Sequence, residues 1–92
     1  MIETCSELRL LSSKCDSDFH RALTHWTTHA KQSARFKEAG RRCKALGKIY
    51  DDSLNKLLKC LGTHEPSTAL QEEIDRLLEF KRILAANLAL IP

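Results

Sequence analysis

Apolar residues recur at steps of three and four over most of the chain, which is the period of one face of an α-helix. The first stripe of this kind consists of Leu8, Leu11, Cys15, Phe19, Ala22, Trp26 and Ala30. The second consists of Phe36, Ala39, Cys43, Leu46, Ile49, Tyr50, Leu54, Leu57 and Leu61. The third consists of Leu70, Ile74, Leu77, Leu78, Leu84 and Leu88, with Ile91 near its edge. The pattern predicts three amphipathic helices.

The second and third helices carry recognisable end signals. Gly62 follows the second stripe, and Lys59 lies in the preceding turn, where a cation suits the helix dipole. Residues 63–67 form a clear loop, after which Thr68 and Gln71 have the spacing of a capping box. These signals predict an all-α fold, an antiparallel up-down-up three-helix bundle with helices over residues 3–31, 34–61 and 67–90.

The junction between the first two helices is weakly marked, because residues 31–35 contain neither Gly nor Pro. A heptad can be drawn straight through it, and would give one helix of about 60 residues. The middle of that heptad would place His29, Ser33, Gly40 and Gly47 at contact positions, where they would pack poorly. A break near residues 31–33 buries every stripe within one chain, so we favour three separate helices.

Three parts of the chain carry a family resemblance. Phe19 followed by Trp26 resembles an aromatic-bearing first helix, and residues 57–64 resemble the end of a second helix with its Gly- and His-containing turn. The apolar spacing that opens the third helix is that of Leu70, Ile74, Leu77 and Leu84. On these features the chain resembles a spectrin-type repeat, although Phe80 and Lys81 stand where that pattern has an aromatic one step later. The resemblance implies a three-helix bundle.

The centres of the three stripes predict the hydrophobic core. We expect it to contain Leu8, Cys15, Phe19, Ala22, Trp26, Phe36, Cys43, Leu46, Tyr50, Leu57, Leu61, Ile74, Leu77 and Leu84. Composition agrees with a helical domain, since fifteen Leu and nine Ala stand against no Val and five aromatic residues. Strands favour β-branched and aromatic residues, so this composition excludes a β-sandwich or a Rossmann unit. At 92 residues the chain is a single domain, residues 1–92.

Four cysteines could form two disulfides in an oxidising compartment. Cys15 and Cys43, however, fall on apolar helical faces, where a free cysteine behaves as a small buried hydrophobe. We therefore expect reduced cysteines and a cytoplasmic location.

Candidate catalytic and metal-binding residues are few. His25 and His29 lie four apart, a spacing that lets two imidazoles share a metal ion. However, the chain has no Cys-x-x-Cys pair, and His25 projects about 100° away from the Phe19 and Trp26 stripe. We expect both histidines to be solvated surface residues, and we expect no catalytic residue, no metal ligand and no cofactor. The sequence therefore predicts that the protein is not an enzyme.

Charge is distributed unevenly, although the net charge is only +3. Residues 21–50 hold eight basic residues against one acidic residue, whereas residues 1–20 and 51–92 are each mildly acidic. Lys37, Arg41, Lys44 and Lys48 step by four, three and four, so they share one face of the second helix, nearly opposite its apolar stripe. We call these four residues the basic stripe, and they are the predicted partner-binding residues.

The basic stripe predicts an interaction or scaffold module, because clustered charge attracts a partner of opposite sign. An acidic protein surface is the expected partner, and nucleic acid is disfavoured because no aromatic residues interleave with the stripe. The alternative partner is an anionic membrane. If the first two helices form one uninterrupted helix, the chain resembles the helix hairpin of BAR domains. That resemblance implies a dimer that binds membranes. Residues 83–91 carry no charge, and Leu90 among them points off the apolar stripe. We expect a following segment or a second copy to cover it, as in a domain excised from a larger protein.

Overall fold

The computed structural model describes residues 5–29 and 33–92. These residues form three α-helices, α1 (Cys5–Thr27), α2 (Ala34–Leu61) and α3 (Thr68–Ala89), and contain no strand. The predicted all-α three-helix fold is thereby confirmed, and it is compatible with a spectrin-like layout. The predicted first helix, 3–31, falls partly on residues 1–4 and 30–32, which lie outside the described residues. None of the helices in the described ranges combines the length and the apolar character needed to cross a membrane.

Threonine hydroxyl groups mark the end of α1, where the sequence offers no Gly or Pro. Thr27 Oγ1 donates to the Thr24 carbonyl at 2.9 Å, and Thr28 Oγ1 donates to the His25 carbonyl at 2.7 Å. Such bonds offer the backbone an alternative to the helical pattern. The last backbone bonds are also tighter than α-helical ones, since the His29 amide donates to the Trp26 carbonyl three residues back. The continuous helix of about 60 residues is therefore not formed, and the break begins earlier than predicted.

Serine residues cap the other two helices at their starts. Ser33 Oγ accepts a hydrogen bond from the Phe36 amide at 3.0 Å, and Ser67 Oγ accepts one from the Leu70 amide at 3.1 Å. Each satisfies an amide that has no partner within its helix. The predicted capping box is wrong by one residue, because the extended backbone of Ser67 makes it the cap and the Gln71 side chain bonds Asp75 instead. Gly62 ends α2 as predicted.

Paired contacts between α1 and α2 run in opposite order along the two helices. Cys5 at the start of α1 is bonded to Cys60 at the end of α2. Phe19 packs against Tyr50 near the middle, with ring centroids 6.2 Å apart. Trp26 then stacks on Phe36 at 5.1 Å, where α1 ends and α2 begins. This order of contacts is that of an antiparallel pair.

Two glycines of α2 allow close contacts: Gly47 faces α3, and Gly40 faces Trp26 of α1 and Ile91, which follows α3. A Cβ atom at Gly47 would lie 2.5 Å from Leu88 Cδ2, and one at Gly40 would lie 3.3 Å from Ile91 Cγ2. In the heptad of a continuous helix these glycines would pack poorly. In the bundle they allow neighbouring side chains to come close, and a larger residue would prevent that approach. Lys81 of α3 lies further along α2, where its Nζ donates to Asp51 Oδ1 at 3.1 Å.

The core is largely the one that the stripes predict. Phe19, Cys43, Leu54, Leu57 and Leu61 are the largest fully buried side chains. The predicted core residues that are only half-buried are Leu8, Ala22, Phe36, Leu46 and Ile74, and the core also contains Cys5, Ala39, Leu54 and Ile91. Three residues of the apolar stripes are exposed, namely Leu11, Ile49 and Leu78. Each lies at the margin of its stripe, beyond the width that one neighbouring helix covers.

The α1 and α3 helices meet only through side chains. Within the described ranges, no Cα atom of α1 comes within 8 Å of one in α3, whereas α2 contacts both helices. Arg9 of α1 bridges the gap to Glu73 of α3 through two hydrogen bonds, of 2.6 and 2.8 Å. The helix at the centre of the molecule is therefore α2, and a groove runs between its two neighbours.

The expectation of reduced cysteines is wrong for Cys5 and Cys60, which form a disulfide. Their side chains meet because the start of α1 lies beside the end of α2, a relationship that no local pattern reveals. Cys15 and Cys43 are free and buried, as their place on the apolar faces predicts. Disulfides are rare in the cytosol, so the cysteines do not support the expected cytoplasmic location.

Candidate functional site

The basic stripe lies on the first half of α2 and faces outward. Lys37, Arg41 and Lys48 are exposed, and Lys44 is half-buried. Two features of α2 set this orientation: its apolar face packs on α1, and Gly47 allows α3 to pack closely against its flank. Eleven residues separate the ends of the stripe, so its charges span about 17 Å.

The basic side chains of α2 are not used to hold the bundle together. The ion pairs found within residues 5–29 and 33–92 join Arg9 to Glu73, His20 to Asp16, Lys81 to Asp51 and Arg82 to Glu79. Every cation in these pairs belongs to α1 or α3. The four residues of the basic stripe are therefore unpaired within the described structure, and their charge is directed to solvent.

The C-terminal end of the stripe borders α3. Lys48 lines an open cleft of about 350 Å³ together with Asp51 and Asp52 of α2 and with Leu84, Ala85 and Leu88 of α3. A partner bound along the stripe would meet two carboxylates at this end. The most strongly positive part of the stripe is thus the segment from Lys37 to Lys44.

The aromatic residues near the stripe are turned away from it. Tyr50 is buried between α1 and α2, and Phe36 is half-buried under Trp26. Neither ring is offered to a base or a lipid beside the basic side chains. Within the described residues, the stripe therefore presents positive charge without an aromatic ring beside it for stacking.

The two histidines predicted to be solvated are brought into contact. His25 is exposed and His29 is half-buried, and their Nε2 atoms lie 3.2 Å apart. They line an open cleft of about 400 Å³ with Ala39 of α2 and with three charged residues that sequence reasoning did not connect to them, Arg35, Glu38 and Arg42. The spacing of four was the available signal, but the facing residues of α2 could not be read from it.

The groove between α1 and α3 has a different character. It is lined by Phe19, Tyr50, Phe80 and Ile83, with Asp16 at its edge. Burial raises the pKa of the Tyr50 hydroxyl, and the neighbouring Asp16 carboxylate raises it further. Tyr50 therefore stays protonated at physiological pH and serves as part of the floor of the groove.

The thiols and carboxylates of the described residues are not arranged as a metal cage. Burial raises the pKa of the Cys43 thiol, which keeps it protonated and weakly nucleophilic. Within residues 5–29 and 33–92, no three His, Cys, Asp or Glu side chains are grouped to hold a metal ion.

Comparison with known proteins finds no matching family model, no similar curated protein and no similar solved structure.

Proposed function

We propose that the protein is a non-catalytic interaction module that docks an acidic surface of a partner protein on Lys37, Arg41, Lys44 and Lys48. The observation that carries this proposal is that cations of α1 and α3 form ion pairs within the described bundle, whereas those of α2 do not. Unpaired like charges on one face cost stability through repulsion and favour an acidic partner.

The spacing of the stripe supports a cooperative electrostatic surface. Neighbouring charges are three or four residues apart, which is about 5–6 Å along the helix. This spacing is shorter than the screening length of about 8 Å at physiological ionic strength. The four charges therefore act on an approaching partner as one extended positive field. A scaffold role fits this arrangement of charges. The resemblance to spectrin-type repeats supports the same role.

The disulfide supports a proposal about the compartment of this module. Disulfides persist in oxidising compartments and are rare in the cytosol. The Cys5–Cys60 bond supports a protein that matures in an oxidising compartment, so the acidic partner belongs to the same compartment.

The test uses neutral substitutions in two matched sets. One variant changes Lys37, Arg41, Lys44 and Lys48 to Gln, and its control changes Lys14, Arg21, Lys56 and Lys59 to Gln. Gln is a good helix former, the control residues are exposed and outside the ion pairs of the described structure, and both sets remove the same charge. Binding to poly-L-glutamate is measured by titration at several salt concentrations.

We expect the stripe variant to lose at least tenfold in affinity and most of the salt dependence, whereas the control variant keeps both. Equal losses in the two variants would contradict a docking stripe, because net charge alone would then explain binding. Parallel titrations use two other polyanions. One is a vesicle that contains phosphatidylserine, and the other is double-stranded DNA. Stripe-dependent binding to vesicles or DNA, without binding to the acidic polypeptide, would replace the proposed protein partner by a membrane or a nucleic acid.

A further inference from the structure

The cleft between the end of α1 and the start of α2 brings two imidazoles together at one wall. His25 lies in the last turn of α1 and His29 lies two residues beyond its end, and Arg35, Glu38 and Arg42 of α2 line the same cleft. The imidazole rings are nearly perpendicular, at 88°, with centroids 4.6 Å apart. Their closest polar atoms are the two Nε2 nitrogens, which point toward each other.

The separation of these nitrogens is the one that two ligands of a single metal ion adopt. Zinc–imidazole bonds are about 2.0–2.1 Å long, and a tetrahedral angle between two of them places the nitrogens about 3.3 Å apart. The observed Nε2–Nε2 distance is 3.2 Å. To share one ion, both lone pairs must turn from the line between the nitrogens toward a common point in the cleft.

The surrounding charges suit a cation with an incomplete shell. His25 lies in the last turn of α1, where helix carbonyl groups favour positive charge. Glu38 forms no ion pair within the described structure, so its carboxylate is free to attract a cation or the water bound to it. Arg35 and Arg42 oppose a bare cation, and they favour an anionic ligand on the metal's remaining positions.

We propose that His25 and His29 bind one late first-row divalent metal ion such as Zn²⁺ through their Nε2 atoms. Imidazole is a preferred ligand of Zn²⁺, Ni²⁺ and Cu²⁺. The described residues supply no third His, Cys, Asp or Glu in position to ligate, so water or an external anion completes the shell. Both imidazoles must be neutral to bind, so metal binding competes with protons. The site is separate from the basic stripe and does not depend on it.

The experiment is a calorimetric titration of Zn²⁺ into the full chain at pH 7.5. The variants are His25→Ala and His29→Ala, and the matched controls are His20→Ala and His64→Ala, since those histidines stand singly at other places in the fold. We expect one ion per wild-type chain and wild-type affinity in both controls. Each variant of the pair should bind at least tenfold more weakly, because even the loss of a residue that only supports a ligand costs about 10–100-fold.

Two further measurements separate the metal site from its alternatives. Zn²⁺ affinity should fall as the pH is lowered from 7.5 to 5.5, because protons compete with the metal ion for the imidazole nitrogens, and Glu38→Gln should weaken it. The melting temperature should rise with Zn²⁺ in the wild type and in His64→Ala, and should not move in His29→Ala.

Three results would overturn the proposal. Unchanged Zn²⁺ binding in His25→Ala and His29→Ala would show that the ion binds elsewhere on the chain. Absence of Zn²⁺ binding up to millimolar concentrations would leave a simple hydrogen bond between two neutral imidazoles. Inorganic phosphate binding that strengthens in Glu38→Gln, without Zn²⁺ binding, would make the cleft an anion site. Circular dichroism of each variant checks that α1 is still helical.

Discussion

Gly47 of α2 lies directly against Leu88 of α3: a Cβ atom at position 47 would come within 2.5 Å of Leu88 Cδ2. The same Cβ would also lie 3.1 Å from Phe19 Cε1 of α1. One missing methyl group therefore lets both neighbouring helices approach α2 at the same level. Helix propensity alone favours Ala over Gly at this position by about 1 kcal/mol. The presence of Gly is therefore explained by the close packing of the helices.

The first prediction concerns that contact. Gly47→Ala should destabilise the wild-type protein, because overpacking typically costs about 1–3 kcal/mol and exceeds the gain in helix propensity. Leu88→Ala removes the atoms that block the new methyl group. In that background Gly47→Ala should cost less or become stabilising. Denaturant unfolding of the four proteins measures this coupling, and a wild-type protein stabilised by Gly47→Ala would contradict the close contact.

The second prediction concerns Trp26, which is 9% exposed and stacks on Phe36. Trp26→Ala should cost about 3–5 kcal/mol, a large part of the about 5–15 kcal/mol that stabilises a typical domain. Trp26→Phe should cost clearly less, since it keeps an aromatic ring in the stack. The Trp26 Nε1 group has no hydrogen-bond partner within the described residues, so Trp26→Phe removes no hydrogen bond. Equal melting temperatures for the wild type and Trp26→Ala would contradict burial.

The third prediction concerns the disulfide. Cys5 and Cys60 are separated by 55 positions, and a bond that closes a loop of this length contributes up to about 4 kcal/mol in the chain-entropy model. Cys5→Ser with Cys60→Ser should lower stability by about 2–4 kcal/mol. Dithiothreitol should destabilise the wild type similarly and leave the double variant unaffected. Thiol titration of the denatured, unreduced wild type should find two free thiols, those of Cys15 and Cys43, and four would show that the bond is absent.

The fourth prediction concerns pH. Hydrogen bonds from the Arg9 guanidinium lower the pKa of the Glu73 carboxyl below its ordinary value. The ionised form is therefore favoured in the folded protein, so the pair stabilises the fold above the ordinary carboxyl pKa of about 4.3. That contribution is lost as pH falls through the lowered pKa of the folded state.

Arg9 is partly exposed, so solvent screening limits this contribution to about 1 kcal/mol or less. Glu73→Gln should lower stability at pH 7 by that amount, and the difference from wild type should shrink steadily below pH 4. Arg9→Lys should lose part of it, because Lys lacks the planar two-pronged donor geometry. Parallel stability curves for the wild type and Glu73→Gln between pH 7 and pH 2 would refute the pairing.

Local patterns in the sequence predicted the three helices and most of the core. The stripe spacing identified Phe19, Cys43 and Leu57 as buried, because burial against one neighbouring helix follows from the 3.6-residue period. The outward placement of the basic stripe on α2 followed from the same period. The end of α1 was predicted less well, because the helix ends at Thr27 without the Gly or Pro that usually marks such an end.

The sequence by itself therefore determined the helical class, the apolar faces and the position of the basic stripe, since each depends on residues within a few turns of one another. Only the tertiary structure decided which distant residues meet. It joined Cys5 to Cys60, seated Leu88 on Gly47, and placed α2 residues opposite the His25–His29 pair. Those relationships depend on how helices align and how closely their backbones approach. Steric fit among side chains far apart in the chain sets both, and periodicity does not encode it.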